Sequence, residues 1–276
     1  TSYVGERVKQ LVAYITAGLP DKNFSLDLIS ALKEAGVDKL ELGIPFSDPV
    51  ADGPIIEVAN LHALQNGFKM QTLFDISSVV APTIETYWMG YFNPFYHKGV
   101  ETFAQKATEF GVKGFIIPDL PHEEALPYLP LMEQYALSMV SFVAPTDSKE
   151  RIAKVVKDAK GFIYLVAYAG ITGAHASEDL TKTIQAIKEQ SATPLFVGFG
   201  VNEKTAKERA RGVDGVIVGS AFVEVLLNEN LSAAQKIDTI AQRAKIIKEK
   251  INGEKKKALV THFGVTIVFV LARQVV

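Results

Sequence analysis

The chain has 276 residues, 48% of them hydrophobic, which is enough apolar material for a sizeable core. A formal net charge of −2 without a long block of like charge argues against nucleic acid or an anionic membrane surface as a partner. Cysteine is absent, which excludes disulfides, thiolate nucleophiles and thiolate metal sites and agrees with a cytoplasmic location.

The first residues, Thr1-Ser-Tyr-Val-Gly-Glu-Arg7, have no basic segment followed by an apolar core and do not read as a secretory signal. From residue 10 onward, short apolar runs alternate with amphipathic segments. The runs are Leu11–Ile15, Lys39–Leu42, Thr86–Gly90, Gly114–Pro118, Met139–Val143, Phe162–Ala167, Leu195–Phe199 and Gly215–Gly219. Nearly continuous apolar runs of this length suit parallel strands covered on both faces. The stretches between them, such as Phe24–Ala35, Val100–Phe110, Lys149–Ala159, Ser177–Glu189, Glu203–Arg211 and Ala233–Lys250, show helical periodicity. Eight strand–helix units in one uninterrupted series predict an α/β protein built as a single (β/α)₈ TIM barrel over residues 1–252. Residues 253–276 form an extension in which Ala258–Ala272 is mostly apolar, about fifteen residues, short of the roughly 20 that a membrane helix needs.

The second unit carries the most telling residues. Glu41 lies inside an apolar strand-like run, where an ionised carboxylate without partners is costly or has its pKa driven upward. Asp52 follows in a loop rich in Gly and Pro, where Asp48 reads as a turn former. Two carboxylates near one strand end supply the material for acid/base catalysis with divided roles. Other polar residues also fall at strand ends, where such barrels place their sites: Asn93, Asp119 and the stretch Tyr168-Ala-Gly-Ile-Thr-Gly173.

Val197-Gly-Phe-Gly200 and Val218-Gly-Ser-Ala221 end the seventh and eighth runs, and their glycines let backbone N–H groups approach an anion. They predict a phosphate site, over which a loop containing Gly170 and Gly173 can close. Gly198-Phe-Gly200 does not continue into Gly-x-Gly-x-x-Gly, which disfavours a dinucleotide. Tyr14, Trp88, Met89, Tyr91, Ile116 and Phe199 would offer an aromatic and apolar wall to the rest of the ligand. The five histidines, His62, His97, His122, His175 and His262, lack metal-ligand spacing, so no metal is expected. Strand ends also lack lysine, because Lys39 and Lys113 lie at strand beginnings, which disfavours Schiff-base chemistry. Isomerisation or carbon–carbon cleavage of a phosphorylated, partly apolar substrate remain.

The run Leu40-Glu-Leu-Gly-Ile-Pro-Phe-Ser-Asp-Pro-Val-Ala-Asp-Gly-Pro54 resembles the signature of the tryptophan synthase α subunit. Ala13–Pro20, Gly90–Pro94, Ile117–Pro121, Gly170–Gly173, Val197–Gly200 and Asp214–Ser220 agree in order, so the resemblance spans residues 8 to 252. It implies cytoplasmic, cofactor-free cleavage of indole-3-glycerol phosphate to indole and glyceraldehyde 3-phosphate. Indole would pass to a β subunit bearing pyridoxal phosphate in an allosteric α2β2 complex. Carried onto this sequence, the resemblance makes Glu41 the general acid/base and Asp52 the acceptor for the indole N–H, with Thr172 holding Asp52. Gly173, Gly198, Gly200, Gly219 and Ser220 would bind phosphate, and Tyr14, Met89, Ile116, Tyr164 and Phe199 would line the indole pocket.

Three features depart from the pattern: a short N-terminal helix, Ala167-Tyr-Ala-Gly170 where many members carry Ser-Arg or a similar pair, and the apolar extension. A stand-alone lyase and a non-catalytic barrel that only activates a partner are the alternatives.

Overall fold

The computed structural model describes residues 8–167 and 180–253. Tyr168, Gly170, Thr172, Gly173, the short N-terminal segment and the apolar extension lie outside the described residues.

Among the described residues nine strands form one wholly parallel sheet: β1 (Gln10–Thr16), β2 (Lys39–Gly43), β3 (Glu85–Met89), β4 (Gly114–Ile116), β5 (Ser138–Met139), β6 (Ser141–Val143), β7 (Ile163–Val166), β8 (Leu195–Gly198) and β9 (Gly215–Val218). Their order is β5-β4-β3-β2-β1-β9-β8-β7-β6. The two edge strands, β5 and β6, are consecutive in the chain and separated by Val140 alone, so the sheet curls into a nearly closed barrel. The fifth expected strand is thus present as two short pieces. Val140 N donates to Phe115 O at 2.9 Å, holding the break against β4.

The helices are α1 (Lys22–Glu34), α2 (Pro54–Gln65), α3 (Met70–Val80), α4 (Phe92–Lys98), α5 (Val100–Phe110), α6 (His122–Ala125), α7 (Leu129–Gln134), α8 (Lys149–Val156), α9 (Thr181–Gln190), α10 (Ala206–Arg209), α11 (Ser220–Leu226) and α12 (Ala233–Asn252). Helix starts follow local chemistry. Asp21 accepts from Phe24 N at 2.9 Å to open α1, and Ser232 and Gln235 form a capping box on α12. The expected Glu203–Arg211 helix shrinks to α10 because Asn202 Oδ1 accepts from Lys204 N and Thr205 N and holds those residues in a turn.

Alternation along the strands sorts side chains into two layers. Leu11, Ala13, Ile15, Leu40 and Leu42 face outward and pack on Leu28, Leu73 and Phe103 of the surrounding helices. Val12, Tyr87, Ile116, Phe162, Phe196 and Ile217 face inward and fill the barrel, with Phe162 stacked on Phe196 at 4.9 Å. Trp88 belongs to the outer layer. Its Nε1 donates to Ser77 Oγ on α3 at 2.8 Å, so it does not contribute to the wall expected of it at the strand ends.

The amino-terminal end of the barrel is closed by polar pairing: Lys39 forms an ion pair with Glu85 across β2 and β3, and Tyr87 Oη donates to Glu85 Oε1 at 3.0 Å. Asn252 ties the last helix to the first strand, accepting from Lys9 N at 2.7 Å and donating to Lys9 O at 3.0 Å. Along α12, Ile240, Ala244, Ile247 and Ile251 are buried at helical spacing.

Gly114 allows β4 and β5 to meet, since a Cβ there would lie 2.0 Å from Ser138 O, a backbone atom that cannot turn aside. Gly114→Ala is expected to destabilise the barrel by roughly 2–3 kcal/mol. Urea unfolding measures this, and a loss below about 0.5 kcal/mol, the usual range for a surface substitution, would contradict the packing described.

Candidate active site

A cavity of about 520 Å³ opens at the carboxyl ends of the strands. Tyr14 from β1, Glu41 from β2, Met89 from β3, Tyr164 from β7 and Ile217 from β9 form its inner part, and Asp52 enters from the β2–α2 loop. Phe199, Gly200, Gly219 and Ser220 supply the opposite rim.

Glu41 is only 1% exposed, and its register partners are Tyr14 and Tyr87, so its side chain shares their inward face between outward Leu40 and Leu42. Its Oε1 is buried with no hydrogen-bond partner among the described residues. Burial, with a smaller contribution from the charge of Asp52, raises the carboxyl from 4.5 to about 8. Glu41 is therefore mostly protonated at neutral pH, able to donate a proton and then to take one back.

Asp52 sits one residue before Gly53, the N-cap of α2, after a turn in which Asp52 N donates to Pro49 O at 2.9 Å. Pro54 then starts the helix at a position that needs no N–H donor. Burial raises Asp52 from 3.8 to about 6, a rise limited by hydrogen bonding from Tyr91 and Asn60. The Asn60 amide, on α2, donates to Asp52 Oδ2 at 3.2 Å. Tyr91 Oη also accepts from Ala51 N at 3.0 Å, and its ring stacks on Phe46 at 5.4 Å, fastening the loop to the end of β3. Around pH 7 the pair thus holds one protonated and one ionised carboxyl, with different environments pushing the two apart.

Two tyrosines flank Glu41, each seated on a glycine of the neighbouring strand. A Cβ on Gly43 would lie 2.4 Å from Tyr14 Oη, and one on Gly198 would lie 2.3 Å from Tyr164 Oη. Gly198 therefore makes room for the Tyr164 ring, and among the described residues expected to bind phosphate it is the one that does not line the cavity. Burial raises both phenols well above their ordinary range, so both remain hydrogen-bond donors.

Phe199 and Gly200 take consecutive left-handed conformations, with φ of 71° and 67°. For Phe199 this backbone geometry is costly, and it turns the ring edge-on to Tyr164 at the cavity wall. Thr205 pins the turn, donating to Gly200 O at 2.6 Å and accepting from Asn202 N at 3.0 Å. A Cβ on Gly219 would meet only ordinary contacts, with Ile56 and Tyr14 at 3.5 and 3.6 Å, so its absence leaves space in the cavity itself.

Ile116, the register partner of Met89, is fully buried in the inner layer and does not line the cavity. Thr172 and Gly173 lie outside the described residues. Sequence reasoning missed Asn60, a polar residue at a buried position of α2 whose spacing from Asp52 was the available signal. It also missed Arg243 of α12, which lines the outer cavity, pairs with Glu203 at 3.1 Å and donates to Ala221 O at 2.8 Å. Among the described residues no group of three His, Asp or Glu side chains could hold a metal ion, and no helix is long and apolar enough to cross a membrane.

Residues 3–253 match the model of the family described as tryptophan synthase alpha chain. The chain belongs to the tryptophan synthase alpha chain family. The members are lyases of tryptophan biosynthesis. The alpha chain of Wolinella succinogenes is 56% identical over 246 residues, covering 89% of this chain and 96% of the relative. The fold is similar to the tryptophan synthase alpha subunit of Campylobacter jejuni, with a TM-score of 0.78 and 34% identity over 88% of this chain and 96% of that one. It is also similar to a chain of the aminoacrylate-bound tryptophan synthase of M. tuberculosis, with a TM-score of 0.78 and 30% identity over 88% and 93% of the two chains.

Because the folded-state pKa of Glu41 is raised, the unfolded chain loses that proton first as pH rises, and stability falls between pH 4.5 and about 8. Glu41→Gln removes this dependence. The variant is expected to exceed the parent in unfolding free energy by roughly 2–4 kcal/mol at pH 8, with the gap closing toward pH 5. A gap independent of pH would contradict the buried protonated carboxyl.

Proposed function

We propose that this chain cleaves indole-3-glycerol phosphate to indole and glyceraldehyde 3-phosphate by a retro-aldol reaction. The observation that carries the proposal is a buried, protonated Glu41 beside a more acidic Asp52 in one cavity, in a chain of this family.

Protonated Glu41 gives its proton to indole C3, which becomes tetrahedral and leaves positive charge on the ring nitrogen. The Asp52 carboxylate accepts the indole N–H and stabilises that charge in a site poor in water. Glu41, now ionised, takes the proton of the hydroxyl on the adjacent glycerol carbon. The bond from that carbon to C3 breaks as the aldehyde forms, its electron pair restores the aromatic ring, and Glu41 ends protonated as it began. No cofactor of this chain enters the sequence.

Tyr14, Met89, Tyr164 and Phe199 fit the flat indole. Gly200, Gly219 and Ser220 leave backbone open to the phosphate. In the proposed reaction Gly173 is a further phosphate contact and Thr172 holds Asp52. A β subunit carrying pyridoxal phosphate is the proposed acceptor of indole, in an α2β2 assembly. Val50 on the loop bearing Asp52, Val58 and Leu61 on α2, and Tyr96 on α4 are exposed apolar groups suited to partner contact.

Glu41→Gln and Asp52→Asn are each expected to lower indole release at least a hundredfold while changing glycerol-phosphate affinity less than about threefold, in line with loss of an acid/base group. Equal loss of both properties would indicate a misfolded site. The pH profile of kcat/KM should be bell-shaped, rising through about 6 as Asp52 ionises and falling through about 8 as Glu41 loses its proton. A profile flat from pH 5 to 9 would count against the assigned roles. Added β subunit should raise indole release; indifference to it would favour a stand-alone lyase.

A further inference from the structure

Asn60 has no role in the proton transfers above, yet it is 2% exposed on α2, eight positions after Asp52. Its Nδ2 donates to Asp52 Oδ2 at 3.2 Å, while its Oδ1 is buried with no hydrogen-bond partner among the described residues. Only one other buried side-chain atom among the described residues is left in that condition, Oε1 of Glu41. A buried amide with one end unused is an expensive way to fasten a loop, and an apolar side chain would fill the same space without leaving an acceptor unpaired.

The direction of the hydrogen bond supplies the reason. An NH2 group only donates, so it complements a carboxylate and not the O–H of a protonated acid, which would seek Oδ1 instead. We propose that Asn60 is a positioning residue that clamps Asp52 as the ionised carboxylate, in the orientation the reaction uses. The proposal rests on the lyase reading for its chemical purpose, although the clamp itself is a matter of geometry.

Among the described residues, the titratable groups facing Asp52 are Glu41 on β2, Glu57 on α2 and the phenols of Tyr14, Tyr91 and Tyr164. Glu57 opposes the ionised form of Asp52, as does burial. The donors that favour it are Asn60 and Tyr91, and Tyr91 is also engaged by Ala51 N. Asn60 is thus the donor held on a regular helix and directed to Asp52. It separates the two carboxyls in charge state: without it the Asp52 carboxyl would approach the condition of Glu41, and the site would hold two acids in place of one acid and one base.

The test compares the parent chain with Asn60→Asp, which keeps the shape and replaces the donor with a further carboxyl, and with Asn60→Ser, which shortens the side chain beyond reach. The Asp52 titration is followed directly by carboxyl 13C NMR, with Asp52→Asn assigning the resonance, and the acid limb of kcat/KM for indole release is recorded beside it. Loss of a donor to a carboxylate raises its pKa. The Asp52 midpoint should therefore move upward by about one pH unit in Asn60→Ser and further in Asn60→Asp. The acid limb should move with it, and kcat should fall more than KM changes. Should Asn60→Asp fail to fold, Asn60→Ser carries the same readouts. An unmoved Asp52 midpoint, with turnover lowered by one factor at every pH, would overturn the clamp and leave Asn60 a packing residue. A moved midpoint in a chain that releases no indole would uphold the clamp and reject the lyase reading instead.

Discussion

Glu41 holds a carboxyl where water scarcely reaches it, and much of the surrounding architecture serves to keep it there. Parallel pairing on both sides of β2 satisfies the backbone, while Leu40 and Leu42 anchor the strand in the outer layer and leave the intervening side chain inside. Below lies a packed interior of Tyr87, Ile116, Phe162 and Phe196, and the amino-terminal end is closed by the Lys39–Glu85 pair. The open end is the one toward Asp52. A proton on Glu41 at neutral pH is the direct result of this burial, and in the proposed reaction that proton is the reagent.

The same physics acts differently on Asp52. It stands on a loop rather than within a strand, so hydrogen-bond donors from two other elements reach it, Tyr91 beyond β3 and Asn60 on α2. The barrel thus obtains an acid and a base from similar side chains by placing one among apolar strands and the other among donors. Across the cavity the constraint is steric. Tyr14 and Tyr164 lie where Gly43 and Gly198 have no side chain, and the left-handed Phe199–Gly200 turn directs an aromatic ring inward at the cost of an unfavourable φ.

Much of this could be read from the sequence, for identifiable reasons. Strands covered on both faces lose their polar alternation and stand out as apolar runs, so the barrel and the anomaly of Glu41 were visible together. Helix α5 matches its expected span, Val100–Phe110, because Gly111 stops it in a left-handed C-cap. The break at Val140 was not visible, since Met139–Val143 is apolar throughout and only pairing with different neighbours divides it. Trp88 and Ile116 show a second limit. Both sit near strand ends, but which face a strand residue takes, and how deep it lies, depends on register, and these residues went to the outer and inner packing layers. Arg243 was missed because its partner, Glu203, comes close only once α12 docks on the barrel, whereas Asn60 meets Asp52 through the way its own loop folds back on α2.

The central claim is that the fold keeps the Glu41 carboxyl protonated at neutral pH, and the most direct measurement is the titration of that group itself. Carboxyl 13C NMR of glutamate-labelled protein, with Glu41→Gln assigning the resonance, should show a midpoint near 8. A midpoint near the ordinary 4.5 would mean that Glu41 is ionised throughout the neutral range, and would contradict both the buried acid and the proton transfer built on it.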